Sequence, residues 1–297
     1  MSIKKVAVAG GTGNLGPAVV NALVEANLEV TVLSRTSSHN FDPRVKVQVV
    51  DYSSEESLKA VLSGQDAVIN TLNVGFVPRD VHLRLVDAAH AAGVQRFVPS
   101  EFGTDTSNPL TSKLPVFGDK IAVIERLREI SEKDKAFTWT ALITGPFFDW
   151  GLEKGFSVNL KGPSTLIFDG GDVLVSTTTL GGIGRAVAGL LAHPEETKNR
   201  HVYVSEADVT QNQLLEWSGN ADKIERQPVK TEDLETQAYE AVKQSPPDFG
   251  TFASNLIRRA VYGGEKYNSF FAKPDNEVLG VPKWTEAQIK ELVKKNA

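Results

Sequence analysis

The chain opens with a short apolar segment that runs into a glycine-rich turn and then into a helix. Residues 6–16 read Val-Ala-Val-Ala-Gly-Gly-Thr-Gly-Asn-Leu-Gly. Gly10, Gly13 and Gly16 have the G-x-x-G-x-x-G spacing, in which missing Cβ atoms allow a tight turn, close backbone approach to a pyrophosphate and close packing of helix on strand. Free backbone N–H groups and the positive end of the helix dipole then bind the anion. The turn therefore predicts a phosphate-binding site.

The residues after the turn support this interpretation over an ordinary glycine-rich loop. Leu15, Val19, Leu23 and Ala26 share one helical face, and residues 29–34 alternate as a strand does. The sequence thus predicts a βαβ unit at its beginning.

Composition limits the class of protein. With 297 residues, 41% hydrophobic and 23% charged, the chain can bury a full core as one large domain or two closely packed ones. A net charge of -5 without a basic cluster argues against nucleic-acid binding and favours a small-molecule partner. The absence of cysteine excludes disulfides, thiolate nucleophiles and Cys-ligated zinc.

Location follows from the same features. The glycines at residues 10–13 cut the first apolar run too short for a signal peptide, and no stretch is apolar enough to span a membrane. We expect a cytoplasmic monomer or homodimer without membrane or nucleic-acid partners.

Strands and helices continue to alternate after the first unit. Residues 45–51, 66–72, 96–100 and 138–144 are predicted as strands, and residues 55–62, 80–92 and 117–130 as helices. This alternation predicts an α/β fold, a Rossmann-type doubly wound parallel sheet. Residues 103–116, rich in Thr, Ser and Pro, are predicted as a loop or mobile lid.

The pattern loosens beyond Trp150, where we place the change from cofactor to substrate region. Residues 1–150 are expected to form a dinucleotide-binding Rossmann domain, and residues 151–297 a smaller α+β substrate region in which 183–205 could rejoin the first sheet. Residues 165–168 and 173–177 flank Asp-Gly-Gly-Asp, which predicts a hairpin. A helix (183–192) and a strand (201–205) follow, and then helices dominate to the end. The five histidines, including His39, lack ligand spacing, so no metal site is expected.

The end of the second strand indicates which dinucleotide binds. An acid there accepts hydrogen bonds from the adenosine ribose, whereas a base favours a 2′-phosphate. Here the strand ends in Ser34, Arg35 and Thr36, and no acid follows before Asp42. Arg35 offers a planar fork suited to phosphate, so NADP(H) is favoured over NAD(H). Asp51, closing the third strand, is a candidate contact for the adenine amino group.

Ligands in open α/β sheets lie outside the carboxyl ends of the strands. Residues 100–103 and 145–148 should therefore border the nicotinamide. On the helix between them, Lys120 continues the apolar face of Val123, Ile124 and Leu127, which is unusual for a lysine. An ordinary lysine at a frayed helix start would instead extend to water.

The predicted site has two further sets of residues. The expected cofactor contacts are Gly10, Thr12, Gly13, Asn14, Leu15, Gly16, Ser34, Arg35, Thr36, Asp51, Ser100, Phe102, Lys120, Gly145, Pro146 and Phe147. The expected substrate contacts are Glu101, Phe148 and Trp150.

Besides Lys120, a second motif is a candidate for a catalytic role. Tyr239 and Lys243 match the Tyr-x-x-x-Lys pair of many short-chain dehydrogenases. They lie beyond the predicted parallel strands, however, and the position four residues before Lys120 is Val116, which has no proton to give. Tyrosine catalysis is not expected, and Tyr239 is interpreted as structural.

The chain resembles the NmrA-like and isoflavone-reductase-like branch of the atypical short-chain dehydrogenase/reductases. The glycine turn, the Arg-Phe-Val-Pro-Ser-Glu-Phe-Gly run at 96–103, the lysine helix and the Ala-His-Pro-Glu-Glu-Thr-Lys-Asn run at 192–199 are similar to its hallmarks. The resemblance implies a Rossmann domain with a smaller substrate region, NADPH as reductant and a catalytic lysine, which is Lys120 here. No motif beyond Trp150 identifies a substrate.

These observations predict an NADPH-dependent reductase of a small aromatic or polyketide-like molecule, acting at a carbonyl, conjugated alkene or benzylic carbon. Two alternatives stay open. The chain could be an NADP(H)-binding regulator without turnover, or a lyase or isomerase in which the cofactor is structural.

Overall fold

The computed structural model describes residues 3–37 and 40–297, so His39 lies outside the described part. In chain order the strands are β1 (Lys5–Ala9), β2 (Glu29–Ser34), β3 (Lys46–Val49), β4 (Ala67–Asn70), β5 (Arg96–Val98), β6 (Thr138–Ile143), β7 (Ser164–Phe168), β8 (Val175–Thr177), β9 (Arg200–Tyr203), β10 (Ala207–Val209) and β11 (Glu225–Val229). The helices are α1 (Gly16–Glu25), α2 (Glu55–Leu62), α3 (Arg79–Ala91), α4 (Gly118–Lys133), α5 (Phe148–Glu153), α6 (Leu180–Ala192), α7 (Pro194–Thr197), α8 (Gln211–Ser218), α9 (Thr231–Lys243), α10 (Phe249–Tyr262), α11 (Asn276–Leu279) and α12 (Glu286–Lys295).

The central sheet has seven strands in the order β3-β2-β1-β4-β5-β6-β9, and every neighbouring pair is parallel. The chain reverses its direction of winding between β1 and β4, so the turn after β1 lies at the switch point where such sheets bind ligands. The predicted doubly wound parallel fold is confirmed.

Two apolar layers cover the sheet, as expected for strands that bury both faces. On one face α1 and α6 pack together, and their residues Val19 and Ile183 share an apolar cluster with Val8 of β1. On the other face α2, α3 and α4 cover Ala7, Val68 and Phe97. The carboxyl ends of the strands remain at one edge, between these layers.

Strand β9 extends the sheet because it pairs with β6.

Arg96, at the start of β5, is buried and donates hydrogen bonds to the hydroxyls of Thr138 and Thr140 and to the carbonyl of Pro194 in α7. Burial lowers the pKa of Arg96 to about 10, and neutral oxygens, rather than a carboxylate, satisfy its guanidinium. Arg96 therefore links β5, β6 and α7.

The predicted hairpin around Asp169 is wrong. Strand β7 pairs in parallel with β11, and β8 pairs antiparallel with β10. The turn itself forms, with positive φ at Asp169, Gly170 and Gly171, but its polar groups form hydrogen bonds with residues of other elements. The Asp169 carboxylate accepts from the amide and hydroxyl of Thr231, and Asn212 donates to the Gly170 carbonyl. The strands therefore diverge after the turn.

The prediction that helices dominate after residue 205 omitted β10 and β11. Strand β11 is mostly exposed and contains Pro228, so it lacks the apolar alternation by which strands are recognised. Proline lacks a backbone donor and is tolerated here because β11 is an edge strand of a two-stranded sheet.

Candidate active site

The turn after β1 is shaped by the packing of its own backbone. Gly10 has φ +81°, and a Cβ there would lie 2.7 Å from the carbonyl carbon of Thr71. A Cβ on Gly16 would lie 2.4 Å from the Gly10 oxygen. Both positions therefore require glycine even without a ligand.

Gly13 differs from these two residues. It is exposed, its amide donates to the Gly10 carbonyl at 3.0 Å, and a Cβ there would meet only that carbonyl oxygen, at 3.4 Å. Thr12 and Asn14 beside it are also exposed. Space is therefore left on the outer side of the turn, where a phosphate would approach the backbone.

The start of α1 has the electrostatics of an anion site. Leu15 precedes the helix without a side-chain cap, and the first turn contains no acidic residue. The first backbone N–H groups of a helix have no partner within it, and the helix dipole is positive there. The turn and helix start together fit a dinucleotide pyrophosphate.

The end of β2 lies beside this turn in the sheet, since β1 and β2 are neighbours. Ser34 is buried, and its hydroxyl accepts from the Thr36 amide at 3.2 Å. Arg35 is exposed and forms no ion pair with any residue in 3–37 or 40–297. The guanidinium of Arg35 is thus available to a 2′-phosphate.

Asp51 lies two residues beyond the end of β3 and is exposed. Its carboxylate accepts hydrogen bonds from the amide and hydroxyl of Ser53, at 2.8 and 2.6 Å, and these bonds lower its pKa. The structure therefore gives Asp51 a local partner, and a contact with adenine stays a prediction.

The loops after β5 and β6 meet at the same edge of the sheet. The Ser100 hydroxyl donates to the Leu72 carbonyl at 2.8 Å, beside the turn that packs on Gly10. The Gly103 carbonyl accepts from the amides of Thr144 and Gly145, at 3.2 and 3.0 Å. The segments 100–103 and 145–148 are distant in sequence, and both were predicted to border the nicotinamide. In the structure they lie together.

Phe102 and the residues that follow Gly145 have different surroundings. Phe102 is buried with φ +30°, and its amide donates to the Leu142 carbonyl at 3.0 Å. Pro146 and Phe147 are half-buried, and the Pro146 carbonyl accepts from the Thr177 hydroxyl at 2.6 Å. These contacts fix the backbone of the loop after β6 against β8.

Lys120 lies in the first turn of α4, above three buried residues of the same face, Val123, Ile124 and Leu127. The lysine itself is half-buried, and its Nζ donates a hydrogen bond to the carbonyl oxygen of Glu101. This contact joins the helix to the loop after β5, as the predicted position of Lys120 requires.

The Glu101 carboxyl is buried beside this lysine. Its Oε2 accepts from the Thr106 hydroxyl at 2.6 Å, while its Oε1 has no hydrogen-bond partner. Burial raises the pKa of Glu101, and the Lys120 charge opposes that rise. Burial lowers the pKa of Lys120, and Glu101 opposes that fall. Each group therefore lies closer to neutrality than it would in water, as acid–base residues often do.

A narrow cleft adjoins this edge. It is lined by Thr104, Asp105, Gly145, Pro146, Val175, Ala260, Val261, Tyr267, Asn268, Ser269 and Phe271, and it encloses about 10 Å³. Sequence analysis missed the residues from 260 to 271. Their only local signal was the Gly-Gly pair at 263–264 that ends α10, and their approach to Gly145 is a long-range contact.

Residues 103–117 are packed against the C-terminal region. Leu114 and Phe117 share an apolar cluster with Ala238, Leu256 and Tyr267. Asn268 donates to the Asp105 carboxylate at 2.8 Å, and Asn108 donates to the Lys266 carbonyl at 2.9 Å. The segment includes two short 3₁₀ turns, Thr111–Lys113 and Pro115–Phe117, and its residues Thr104 and Asp105 line the cleft.

Three residues considered from sequence lie elsewhere. Phe148 is 1% exposed and packs near Trp284, with ring centroids 6.4 Å apart. Trp150 is half-buried in α5. Tyr239 is exposed on α9, with its ring 6.2 Å from that of Phe252. None of the three lines the cleft, and the substrate roles of Phe148 and Trp150 stay predictions.

No group of three or more His, Asp or Glu side chains in 3–37 and 40–297 is arranged to hold a metal ion. Every helix in those ranges falls short of the length and apolar character that a bilayer crossing needs.

Comparison with known proteins was made on sequence and on structure. The model of the NmrA-like family matches residues 2–246. "Oxidoreductase aprR" of Aspergillus flavus is 38% identical over 216 residues, which cover 71% of this chain and 71% of that protein. "Isoflavone reductase homolog IRL" of Zea mays is 27% identical over 262 residues, 82% of this chain and 81% of that protein. The structure titled "AtPrR2 with NADP+ and (+)pinoresinol" superposes with a TM-score of 0.79 over 100% of both chains, at 21% identity.

Proposed function

This chain belongs to the NmrA-like family of oxidoreductases, as its motifs predict, and from that premise we propose that it is an NADPH-dependent reductase of a small aromatic or polyketide-like molecule. The observation that carries the proposal is the half-buried Lys120 bound to the Glu101 carbonyl at the edge of the sheet where the phosphate-binding turn lies.

The geometry of the glycine turn and of the end of β2 suggests which residues would hold the cofactor. The N–H groups of Thr12 and of residues 14–16, at the start of α1, bind the pyrophosphate, and Arg35 with Ser34 and Thr36 binds the 2′-phosphate. NADPH supplies the hydride that reduces the substrate. The solved neighbours titled as NADP or NADPH complexes support this choice of cofactor.

Lys120 acts on the substrate oxygen. When a carbonyl or conjugated alkene is reduced, negative charge develops on the acceptor oxygen, and the Lys120 ammonium donates a hydrogen bond or a proton to it. General acid catalysis of this kind contributes about 10²–10⁴-fold to rate. The Glu101 carboxylate favours the protonated form of Lys120, because its charge opposes the fall in pKa that burial causes.

The lining of the cleft supports this class of substrate. Val175, Ala260, Val261 and Phe271 give it apolar walls, and Asn268 and Ser269 supply polar groups, a lining typical of sites for small, mostly apolar ligands. Because the cleft encloses only about 10 Å³, it must widen to hold such a molecule. The Zea mays relative is named for isoflavones and one neighbour holds (+)pinoresinol, both aromatic. We propose that residues 151–297 supply this binding surface, and that the wall formed by 103–117 and 267–271 opens to admit substrate.

The test is replacement of the lysine. Lys120→Ala should lower kcat by at least about 10²-fold in NADPH oxidation with a substrate found by screening aromatic and polyketide-like ketones, enones and benzylic ethers. Lys133→Ala is the matched control, because Lys133 is exposed at the end of the same helix, and it should leave kcat unchanged. Full activity of Lys120→Ala would contradict the proposed role.

The same screen separates the alternatives. A reductase consumes one NADPH for each product molecule. A chain that binds NADPH but turns over no compound of the panel would act as a regulator, and a product formed without consumption of NADPH would indicate a lyase or isomerase.

A further inference from the structure

A cavity of about 240 Å³ lies in the C-terminal region, outside the candidate active site. It is lined by Gly155, Phe156, Ser157, Asn159, Ser164, Thr165, Leu166, Phe168, Gln227 and Arg258. It shares no lining residue with the cleft at Gly145. Phe168 on its side and Val175 and Val261 on the cleft side belong to one packed apolar cluster, so apolar side chains separate the two spaces.

The charged group of this cavity is Arg258. Its guanidinium carbon lies 5.4 Å from the ring centroid of Phe156 and 5.8 Å from that of Phe168. Its Nε is buried without a hydrogen-bond partner, and the side chain forms no ion pair or hydrogen bond with the residues that the structure describes. The two rings stabilise the cation from its flanks and leave its hydrogen-bond donors unused.

The next residue on the same helix, Arg259, also has a buried Nε without a hydrogen-bond partner, but its charge is compensated by nearby carboxylates. Arg259 donates to the Thr231 hydroxyl at 2.6 Å and lies 3.8 and 3.9 Å from the carboxylates of Glu232 and Glu235. No acidic side chain lines the Arg258 cavity. Burial lowers the pKa of Arg258, but a guanidinium stays charged at any physiological pH. An unpaired, partly buried charge is costly, and an anion in the cavity would remove that cost.

The other polar groups of the cavity suit a planar acceptor. The amide of Gln227 and the hydroxyl of Ser164 form no side-chain hydrogen bond with the described residues, and both groups can donate. Asn159 is already engaged, since it donates to the Ser164 carbonyl and accepts from the Gly162 amide. The donors left for a ligand thus include the guanidinium fork, the Gln227 amide and the Ser164 hydroxyl, and the fork matches a carboxylate with two parallel hydrogen bonds.

We propose that this cavity binds a small organic carboxylate, with the carboxylate on Arg258 and its apolar body against Phe156 and Phe168. The volume of about 240 Å³ is below the 300–1,000 Å³ typical of drug-sized ligands, so the ligand is of the size of benzoate or a short aliphatic acid. This site is independent of the proposed reductase function, because it shares neither residues nor space with Lys120.

Titration calorimetry of the whole chain with sodium benzoate tests the proposal, with inorganic phosphate as a second probe. Wild type should bind one benzoate, and Arg258→Met should weaken binding by at least about tenfold. Arg258→Lys, which keeps the charge but loses the fork, should also bind more weakly. The matched control is Arg226→Met, because Arg226 precedes Gln227 on the same strand and bonds to Asn212 instead; its affinity should equal that of wild type.

Thermal unfolding keeps the test falsifiable if binding is weak. Since Arg258 contacts the rings of Phe156 and Phe168 but has no hydrogen-bond or ion-pair partner among the described residues, Arg258→Met should fold and unfold cooperatively near the wild-type temperature. Benzoate should raise the unfolding temperature of wild type but not of Arg258→Met. The proposal is overturned if benzoate does not bind wild type, if Arg258→Met binds it equally well, or if phosphate binds at Arg258 as tightly as benzoate does.

Discussion

Among single residues, the proposed chemistry depends on two ionisable groups held at one loop. Lys120 donates to the backbone of Glu101, while the Glu101 carboxyl is held by Thr106 and keeps one oxygen unpartnered. Burial lowers the pKa of the first group and raises that of the second, and each charge opposes the shift of the other. The charge of Lys120 at working pH therefore depends on Glu101.

This coupling predicts a pH dependence. Lys120 must be protonated to donate, so kcat should fall as pH rises through its pKa, at a pH below the ordinary lysine value of about 10.4. Glu101→Gln removes the charge that raises this pKa, so the basic limb should move to lower pH in a kcat profile. Asp119→Asn is the control, because Asp119 pairs with Arg79 at 2.7 Å and not with Lys120. A limb that is unmoved in Glu101→Gln would disprove the coupling.

At the scale of elements, the glycine turn, the alternating strands and the apolar face of α4 were predictable because each is a local pattern. The hairpin at Asp169 was predicted wrongly because the same turn residues serve Thr231 and Asn212, which lie far along the chain. Strand β11 carries no strand pattern, since its residues are exposed and pair only with β7. Local sequence thus predicted the turn but not the partners of the strands beside it.

The 3₁₀ turn Pro115–Phe117, directly before α4, should determine how firmly Lys120 is held. Phe117 is 4% exposed and packs with Leu256 and Tyr267. Phe117→Ala should lower the free energy of unfolding by about 3–5 kcal/mol, the usual cost of removing a buried phenylalanine. Chemical denaturation followed by circular dichroism measures this change.

Leu110→Ala provides the comparison in the same segment, because Leu110 is 38% exposed. Its effect should stay within about 0.5 kcal/mol. Equal stabilities of the two variants would show that residues 103–117 are not anchored to the C-terminal region.

In the whole molecule, the site is assembled from four distant parts of the chain. The parallel sheet brings the ends of β1, β5 and β6 to one edge, and this much follows from the alternation of elements in sequence. The cleft is completed by residues 260–271 of the C-terminal region. Nothing in their local sequence indicates that position, because it results from packing between α10 and the segment 103–117.

The proposed function requires that the opening turn bind a nicotinamide dinucleotide phosphate beside Lys120. Calorimetric titration with NADPH and NADH tests it directly. We expect one NADPH to bind per chain, about tenfold or more tighter than NADH, with most of that preference lost in Arg35→Ala. If neither dinucleotide gives measurable binding, the turn does not serve a nicotinamide cofactor, and the proposed reductase function is contradicted with it.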